Sequence, residues 1–148
     1  MSQKCHSILR DRKGRPSAQV ATLSYEFDGG HVVPEHFHLE DQLVFASKGV
    51  MTVRTRQGIW VVPPMRAVWI PAETPHSVAM SGPVSMRTLY FLPRLVRTLP
   101  AKCLVMNVSS LLRELILHAC KFPKLNKRAP VQSVLAQREM EKRRSPLV

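Results

Sequence analysis

Hydrophobic and polar residues alternate with a period of two over much of the first hundred positions. In AQVATLSYEF, residues 18–27, Leu23, Tyr25 and Phe27 share one face while Ser24 and Glu26 share the other, which predicts a half-buried strand. Further strand-like runs are QLVFAS, VMTVRTR, IWVV, AVWI, SVAM and MRTLYFL, separated by turns rich in Gly and Pro. Short strands at spacings of roughly 8–12 residues predict an all-β barrel or sandwich.

The hydrophobic period changes after Pro100. Apolar residues recur at the spacing of three and four that is typical of a helix, at Val108, Leu111, Leu112, Leu115, Ile116 and Ala119. Asn107 or Ser109 can cap the start, and Pro123 ends the segment. Leu117 lies off the apolar stripe, so packing one face of the helix on the barrel would leave apolar surface in contact with water. A homodimer through helix 108–120 is therefore predicted. A second, thinner apolar stripe in residues 130–144 could form another helix.

Composition and charge bound the organisation of the chain. Its 148 residues suit one domain, divided into a flexible arm at 1–17, a β-barrel at 18–103, and a C-terminal helical dimerisation segment with a basic tail at 104–148. The net charge is +12, and residues 104–148 hold half of that excess, with nine Lys/Arg against three Asp/Glu. A solvated basic tail is the favoured reading, and weak association with nucleic acid is the alternative.

The cysteine pattern and the N-terminus indicate a cytoplasmic location. Cys5, Cys103 and Cys120 are odd in number and widely spaced, which argues against a disulfide framework. No stretch has the features of a signal peptide or a membrane span.

The candidate chemistry lies in residues 30–49, GHVVPEHFHLEDQLVFASKG. His36, His38 and Gln42 have the same parity, so in an extended chain their side chains point to one face. His76 follows the strand-like run AVWIP and supplies a third imidazole. Three imidazoles and an amide oxygen predict a site for a divalent transition metal, with zinc or nickel favoured.

Other residues leave alternatives at this site. Glu40 shares the parity of His38 and could supply a carboxylate ligand instead of Gln42. His6, His31 and His118 are interpreted as ordinary surface or hydrogen-bonded residues. Trp60 and Trp69 could line a ligand pocket, but core or interface positions are favoured.

The spacing G-x5-H-x-H-x3-Q-x6-G, from Gly30 to Gly49, resembles the first cupin motif, in which Glu is usual where this chain has Gln42. PAETPH, residues 71–76, resembles the second motif, P-x-G-x-x-H, with Glu73 in place of the glycine and Met80 where an asparagine usually follows. The substitution at Gln42 removes one negative charge, which should weaken binding of a divalent metal.

A wider resemblance covers residues 18–120. HFHLEDQLVFASKGVMTVRT, WVVPPMRAVWIPAETPHSVAMSG, MRTLYFLP and VSSLLRELILHA are similar to the N-terminal sensing domain of AraC-type transcriptional regulators. The resemblance implies an all-β cupin fold (a double-stranded β-helix, or jelly-roll barrel) with one or two C-terminal α-helices that dimerise. In that family a separate domain with two helix-turn-helix units binds DNA. Too few residues follow Cys120 for it, so the chain is either a fragment or a stand-alone remnant.

We therefore expect a metal-binding, effector-sensing dimerisation domain of an AraC-like regulator, without sequence-specific DNA binding of its own and without membrane association. A small-molecule effector is a possible partner. The alternative is a small metal-dependent cupin enzyme, a dioxygenase or isomerase. The sequence offers no evident general base beside the three histidines and no carboxylate at the ligand position, so no catalytic residue is assigned.

Overall fold

A computed structural model describes residues 7–125 of the chain. The elements are β1 (Val20–Phe27), β2 (Val32–His36), β3 (Asp41–Thr55), β4 (Gly58–Val62), β5 (Arg66–Ile70), β6 (His76–Phe91), β7 (Leu104–Asn107), α1 (Ser110–Ala119) and β8 (Lys124–Leu125). The predicted all-β cupin fold with a C-terminal helix is confirmed. The second helix suggested for residues 130–144 lies outside the described residues.

Two long antiparallel strands, β3 and β6, form the centre of the fold and pair along most of their length. The first half of β3 also pairs with β5, and its second half pairs with β4. Likewise, the start of β6 pairs with β2 and its remainder pairs with β1. The hydrogen-bonded order β7-β5-β3-β6-β1-β8 is open, so backbone hydrogen bonds do not close the sheet into a barrel.

The change of partners along β3 coincides with a bend at Gly49. This residue has a φ of +82°, and the pairing with β6 shifts register on both sides of Lys48. A Cβ atom at Gly49 would lie 2.2 Å from the carbonyl oxygen of Pro83. Glycine is thus required here by both the backbone angle and the close approach of β6.

Two apolar clusters lie on the two faces of the central strands. The inner cluster is shared by both halves of the fold and contains Val44, Met51, Val53, Val62, Val68, Ile70, Val78, Met80, Val84 and Met86. The outer cluster joins the other face of β3, β5 and β6 to the helix, and contains Leu43, Phe45, Ala67, Trp69, Leu89, Val108 and Ile116. Alternate side chains of each strand thus enter different clusters, as a period of two requires.

Helix α1 begins and ends close to the predicted limits. The side chain of Ser109 accepts a hydrogen bond from the amide of Leu112, so Ser109 rather than Asn107 is the N-cap. Ile116 is buried in the outer cluster and Leu112 packs against that cluster, whereas Leu111 and Leu115 are 71% and 57% exposed. Within residues 7–125 no helix is both long and apolar enough to cross a bilayer.

Residues 7–17 differ from the flexible arm expected for residues 1–17. Leu9 is fully buried against Ala18, Ala21 and Tyr90, and Arg10 and Pro16 form an isolated β-bridge. This part of the segment is docked on the sheet because a buried leucine and its backbone amides find partners there. The expected boundary at residue 103 also differs, since β7 pairs with β5 and extends the sheet beyond it.

Candidate metal centre

His36, His38 and His76 come together where β2 meets the start of β6. His36 ends β2 and is in register with His76, the first residue of β6. One ring nitrogen from each of the three histidines lies within 4.8 Å of the others. The ring centroids of His36 and His76 are 4.4 Å apart, and those of His36 and His38 are 4.8 Å apart. The described residues thus contain one group of three imidazoles close enough to hold a metal ion.

Backbone carbonyl groups orient two of these rings. Nδ1 of His76 lies 2.8 Å from the carbonyl oxygen of Thr74, and Nδ1 of His36 lies 2.7 Å from that of Pro34. A carbonyl oxygen only accepts hydrogen bonds, so each Nδ1 must carry the proton and each Nε2 then offers a lone pair. Sequence reasoning missed these carbonyl partners because they depend on the local path of the backbone.

Burial keeps two of the imidazoles neutral. Removal from water, together with the neighbouring His36 and His76, lowers the pKa of His38 to about 4. Burial also lowers the pKa of His76 to about 4, although the hydrogen bond to Thr74 opposes this shift. Both pKa values lie well below the ordinary value of about 6.5, so neither imidazole carries a positive charge at neutral pH. Neutral imidazole is the form that binds metal ions.

Gln42 is held beside the histidines by hydroxyl groups from β6. Its Nε2 donates to Oγ1 of Thr88 at 2.9 Å and to the hydroxyl oxygen of Tyr90 at 3.3 Å. The ring of Tyr90 is in edge contact with His38, at a centroid distance of 4.8 Å. Thr88 and Tyr90 were not predicted as site residues. The sequence could have indicated them, because they are polar side chains at positions of MRTLYFL that share the buried face of the strand with Met86.

Polar atoms without partners fit the chemistry of a bound metal. Nε2 of His38, Nε2 of His76 and Oε1 of Gln42 are all buried without a hydrogen-bond partner. Buried donors and acceptors are nearly always satisfied in native proteins, so such atoms require an explanation. Two imidazole nitrogens and an amide oxygen are ligands that a divalent transition metal accepts.

Glu40 does not join the histidines, although its Oε2 is also buried without a hydrogen-bond partner. Its Oε1 accepts hydrogen bonds from the hydroxyl of Ser7 and from the amides of Ile8 and Leu9, the latter two at 3.0 and 3.2 Å. Within residues 7–125, the metal-binding group of His, Cys, Asp and Glu side chains consists of the three histidines alone. The carboxylate held open as an alternative ligand instead anchors the N-terminal segment.

The remaining aromatic and histidine candidates occupy structural positions. Trp69 is 2% exposed and belongs to the outer cluster, and Trp60 packs against the inner cluster, as favoured from the sequence. His31 stacks on Phe27, His118 contacts Phe122 in an edge arrangement, and neither belongs to the group of three clustered rings.

Comparison with known proteins identifies the relatives of this chain. The family model described as the AraC-like ligand binding domain matches residues 19–137. The HTH-type transcriptional regulator NimR of Escherichia coli (strain K12) is 38% identical over 84 residues, which are 57% of this chain and 30% of NimR. This chain thus matches less than a third of the length of that regulator.

Solved structures agree on the fold. A structure of ToxT from Vibrio cholerae strain SCE256 with an unsaturated fatty acid bound has a TM-score of 0.57 at 10% identity, covering 71% of this chain and 47% of that one. A second structure of ToxT from Vibrio cholerae, in the P21 form, also has a TM-score of 0.57, at 8% identity over 84% of this chain and 55% of that one. At these identities the likeness concerns the fold alone.

Proposed function

Since this chain belongs to the family of AraC-like ligand binding domains, we propose that it is the metal-binding, effector-sensing and dimerising domain of an AraC-type transcriptional regulator. The observation that carries the metal assignment is the set of buried, unpartnered ligand atoms on His38, His76 and Gln42 beside His36. These four residues would hold a zinc or nickel ion. The ion would supply a Lewis-acid contact for an oxygen or nitrogen atom of an effector.

The residues of the chain prepare this site before any ligand arrives. The carbonyl groups of Pro34 and Thr74 fix the tautomers of His36 and His76, and Tyr90 and Thr88 turn the amide of Gln42 so that its oxygen stays unpartnered. Desolvation keeps His38 and His76 in the metal-binding form at neutral pH. The cost of preorganisation is thus met by the fold rather than at the moment of binding.

The metal assignment is tested by titrating the full chain with Co²⁺, whose visible absorption bands report coordination by imidazole, and by elemental analysis for zinc and nickel. We expect the double variant His38→Ala, His76→Ala to lose the bands and the bound metal. The matched control, His31→Ala with His118→Ala, removes two histidines outside the site and should keep both signals. Equal metal content in the two double variants would refute the site.

Dimerisation is proposed through the exposed side of α1, with a correction to the residues involved. Leu112 and Ile116, two residues of the predicted apolar stripe, pack on the chain's own outer cluster, so changing them would damage the fold. Leu111 and Leu115 are the exposed pair, one turn apart, and line a shallow groove of about 350 Å³ with Leu117. A two-fold partner would cover them on both chains.

Light scattering on two double variants tests whether dimerisation depends on this surface or on any exposed apolar residues. The variant Leu111→Glu, Leu115→Glu should convert a dimer to a monomer without loss of the β-sheet circular dichroism. Ile59→Glu with Val61→Glu changes two equally exposed apolar residues on β4 and should remain dimeric. A monomeric unmodified chain at tens of micromolar would contradict the proposal.

The enzyme alternative has less support from the site. A metal-dependent cupin enzyme needs a group that moves protons near the reacting atoms. No carboxylate belongs to the group of clustered imidazoles within residues 7–125, and Oε1 of Glu40 accepts three hydrogen bonds from the N-terminal segment. We accordingly assign no catalytic residue. We also expect no sequence-specific DNA binding by this chain, because its sequence contains no paired helix-turn-helix pattern.

A further inference from the structure

A cleft of about 730 Å³ opens on the outside of the fold, away from the three histidines. Its walls are residues 71–73, which follow β5, and residues 93–101, which follow β6. Trp69 lies at its base with Val96 and Leu99. Trp69 is only 2% exposed, and its indole Nε1 donates to the carbonyl oxygen of Pro100 at 3.1 Å, so the small part of the ring that borders the cleft is apolar. The volume is typical of a small-molecule site.

The two sides of this cleft carry opposite charges. Asp41 and Glu73 come from the side formed by the start of β3 and residues 71–73, and Arg94 and Arg97 come from residues 93–101. Within residues 7–125 none of these four side chains takes part in an ion pair. Asp41 accepts a single hydrogen bond, from the amide of Ala72 at 2.8 Å. Opposite charges thus line one cavity without neutralising each other.

The backbone is strained at one charged residue on each side. Glu73 has a φ of +61° and Arg94 a φ of +65°, a region that costs a residue with a Cβ atom on the order of 1 kcal/mol. Met65 is the remaining non-glycine residue with a positive φ in the described chain. Two of three such residues therefore line this cleft, and strain of this kind is concentrated at functional sites.

We infer that the cleft binds a small zwitterionic molecule with an apolar group, of the class of apolar amino acids and dipeptides. The carboxylate of the ligand faces Arg94 and Arg97, its ammonium group faces Asp41 and Glu73, and its apolar part rests on Trp69 and its apolar neighbours. Guanidinium and carboxylate groups form the strongest hydrogen bonds available to side chains, which suits recognition of both ends of such a ligand. This goes beyond the proposed function, since no histidine lines the cleft.

The fluorescence of Trp69 provides a direct test, because the chain has only two tryptophans. In the full chain with Trp60→Phe, Trp69 is the sole indole, and titration with L-leucyl-L-phenylalanine should give a saturable change in its emission. Arg94→Ala with Arg97→Ala should raise the dissociation constant about tenfold or more, since a hydrogen bond to a charged group is worth roughly 1.5–3 kcal/mol. Arg54→Ala with Arg56→Ala removes two exposed arginines outside the cleft and should change nothing.

Blocked ligands separate a zwitterion from other amphipathic molecules. N-acetyl-leucyl-phenylalanine lacks the ammonium group and leucyl-phenylalaninamide lacks the carboxylate, and each should bind more weakly than the free dipeptide. Calorimetric titration of the unmodified chain gives the same comparison without relying on Trp60→Phe. The inference is overturned if the free dipeptide gives no saturable signal, or if both blocked forms bind as tightly as the free dipeptide. It is also overturned if the two arginine double variants have the same dissociation constant for the dipeptide. None of these results depends on metal binding at the histidines.

Discussion

Residues 71–76 connect the charged cleft, which residues 71–73 line, to the histidine site, which contains His76. The two sites differ in burial and in charge. His76 is buried and His38 is partly buried, both lie on or next to strands, and a pKa of about 4 leaves both neutral at physiological pH. The four charged residues of the cleft are carried mainly by loops and lie at an open surface. Both sites have polar groups that lack partners. Burial makes such groups shed their charge, whereas solvent allows them to retain it. If both proposals hold, one short segment borders two sites for chemically distinct ligands.

The largest expected effect exploits the neutrality of the buried imidazoles in the metal-free chain. The folded-state pKa of His76 is about 4, below the unfolded value of about 6.5, so the unfolded chain binds more protons between these limits. Stability should therefore fall as the pH drops from about 6.5 to about 4, by on the order of 3 kcal/mol for His76 alone. Urea unfolding of the chain at several pH values in this range measures how steeply the free energy of unfolding depends on pH.

His76→Gln should flatten this slope, while His31→Gln, at an exposed position, should leave it unchanged. Stability that rises as the pH falls from 6.5 would contradict the assignment of a buried neutral imidazole. The comparison between the two sites would then lose its basis, because the histidine site would tolerate charge as the cleft does.

A smaller effect is expected from placing a charge in the buried site. Gln42→Glu provides the carboxylate that the first cupin motif usually has, and should tighten zinc binding about tenfold, because a carboxylate is a stronger ligand than an amide. Without metal the same variant should be less stable, since a buried carboxylate has lost its water. Competition with a zinc-binding dye gives the affinity. Gln57→Glu adds the same charge on an exposed turn and should not alter it.

The smallest effect concerns the cleft side of residues 71–76. Glu73→Gly relieves a positive φ and should stabilise the chain by about 1 kcal/mol. Glu35→Gly, at an exposed strand position, should instead destabilise it by about 0.5–1 kcal/mol. Metal affinity should not change with Glu73→Gly, because the amide of residue 73 still donates to the carbonyl oxygen of His38. A loss of stability in denaturant would show that the Glu73 side chain has a partner that outweighs the strain.

Features that depend on local periodicity could be predicted from the sequence. The parity of His36 and His38, together with the spacing to His76, anticipated three rings that the structure places together. The departure of Glu73 from the glycine of the cupin motif also marked a real feature, since its backbone has a glycine-like angle. The limits of α1 were predicted to within two residues at the start and one at the end.

Features that depend on distant packing could not be predicted. The apolar stripe of α1 was too broad to show which residues face the sheet, and only the outer cluster decides that Ile116 is inside and Leu115 outside. Leu9 and Glu40 meet across 31 positions of sequence. The cleft joins two irregular segments whose residues have no shared period, so no pattern along the chain connects Glu73 with Arg94.

The short segment between the two sites has a thermodynamic consequence. Its amides and carbonyl groups bond in both directions: Ala72 donates to Asp41 on the cleft side, while Glu73 donates to the carbonyl oxygen of His38 and Thr74 accepts from His76. If a cleft ligand changes the affinity of the histidines for a metal by some factor, the metal must change the affinity for that ligand by the same factor. With positive coupling through residues 72–74, each ligand would bind more tightly when the other is bound, and a regulator carrying this domain would respond most strongly when both are present.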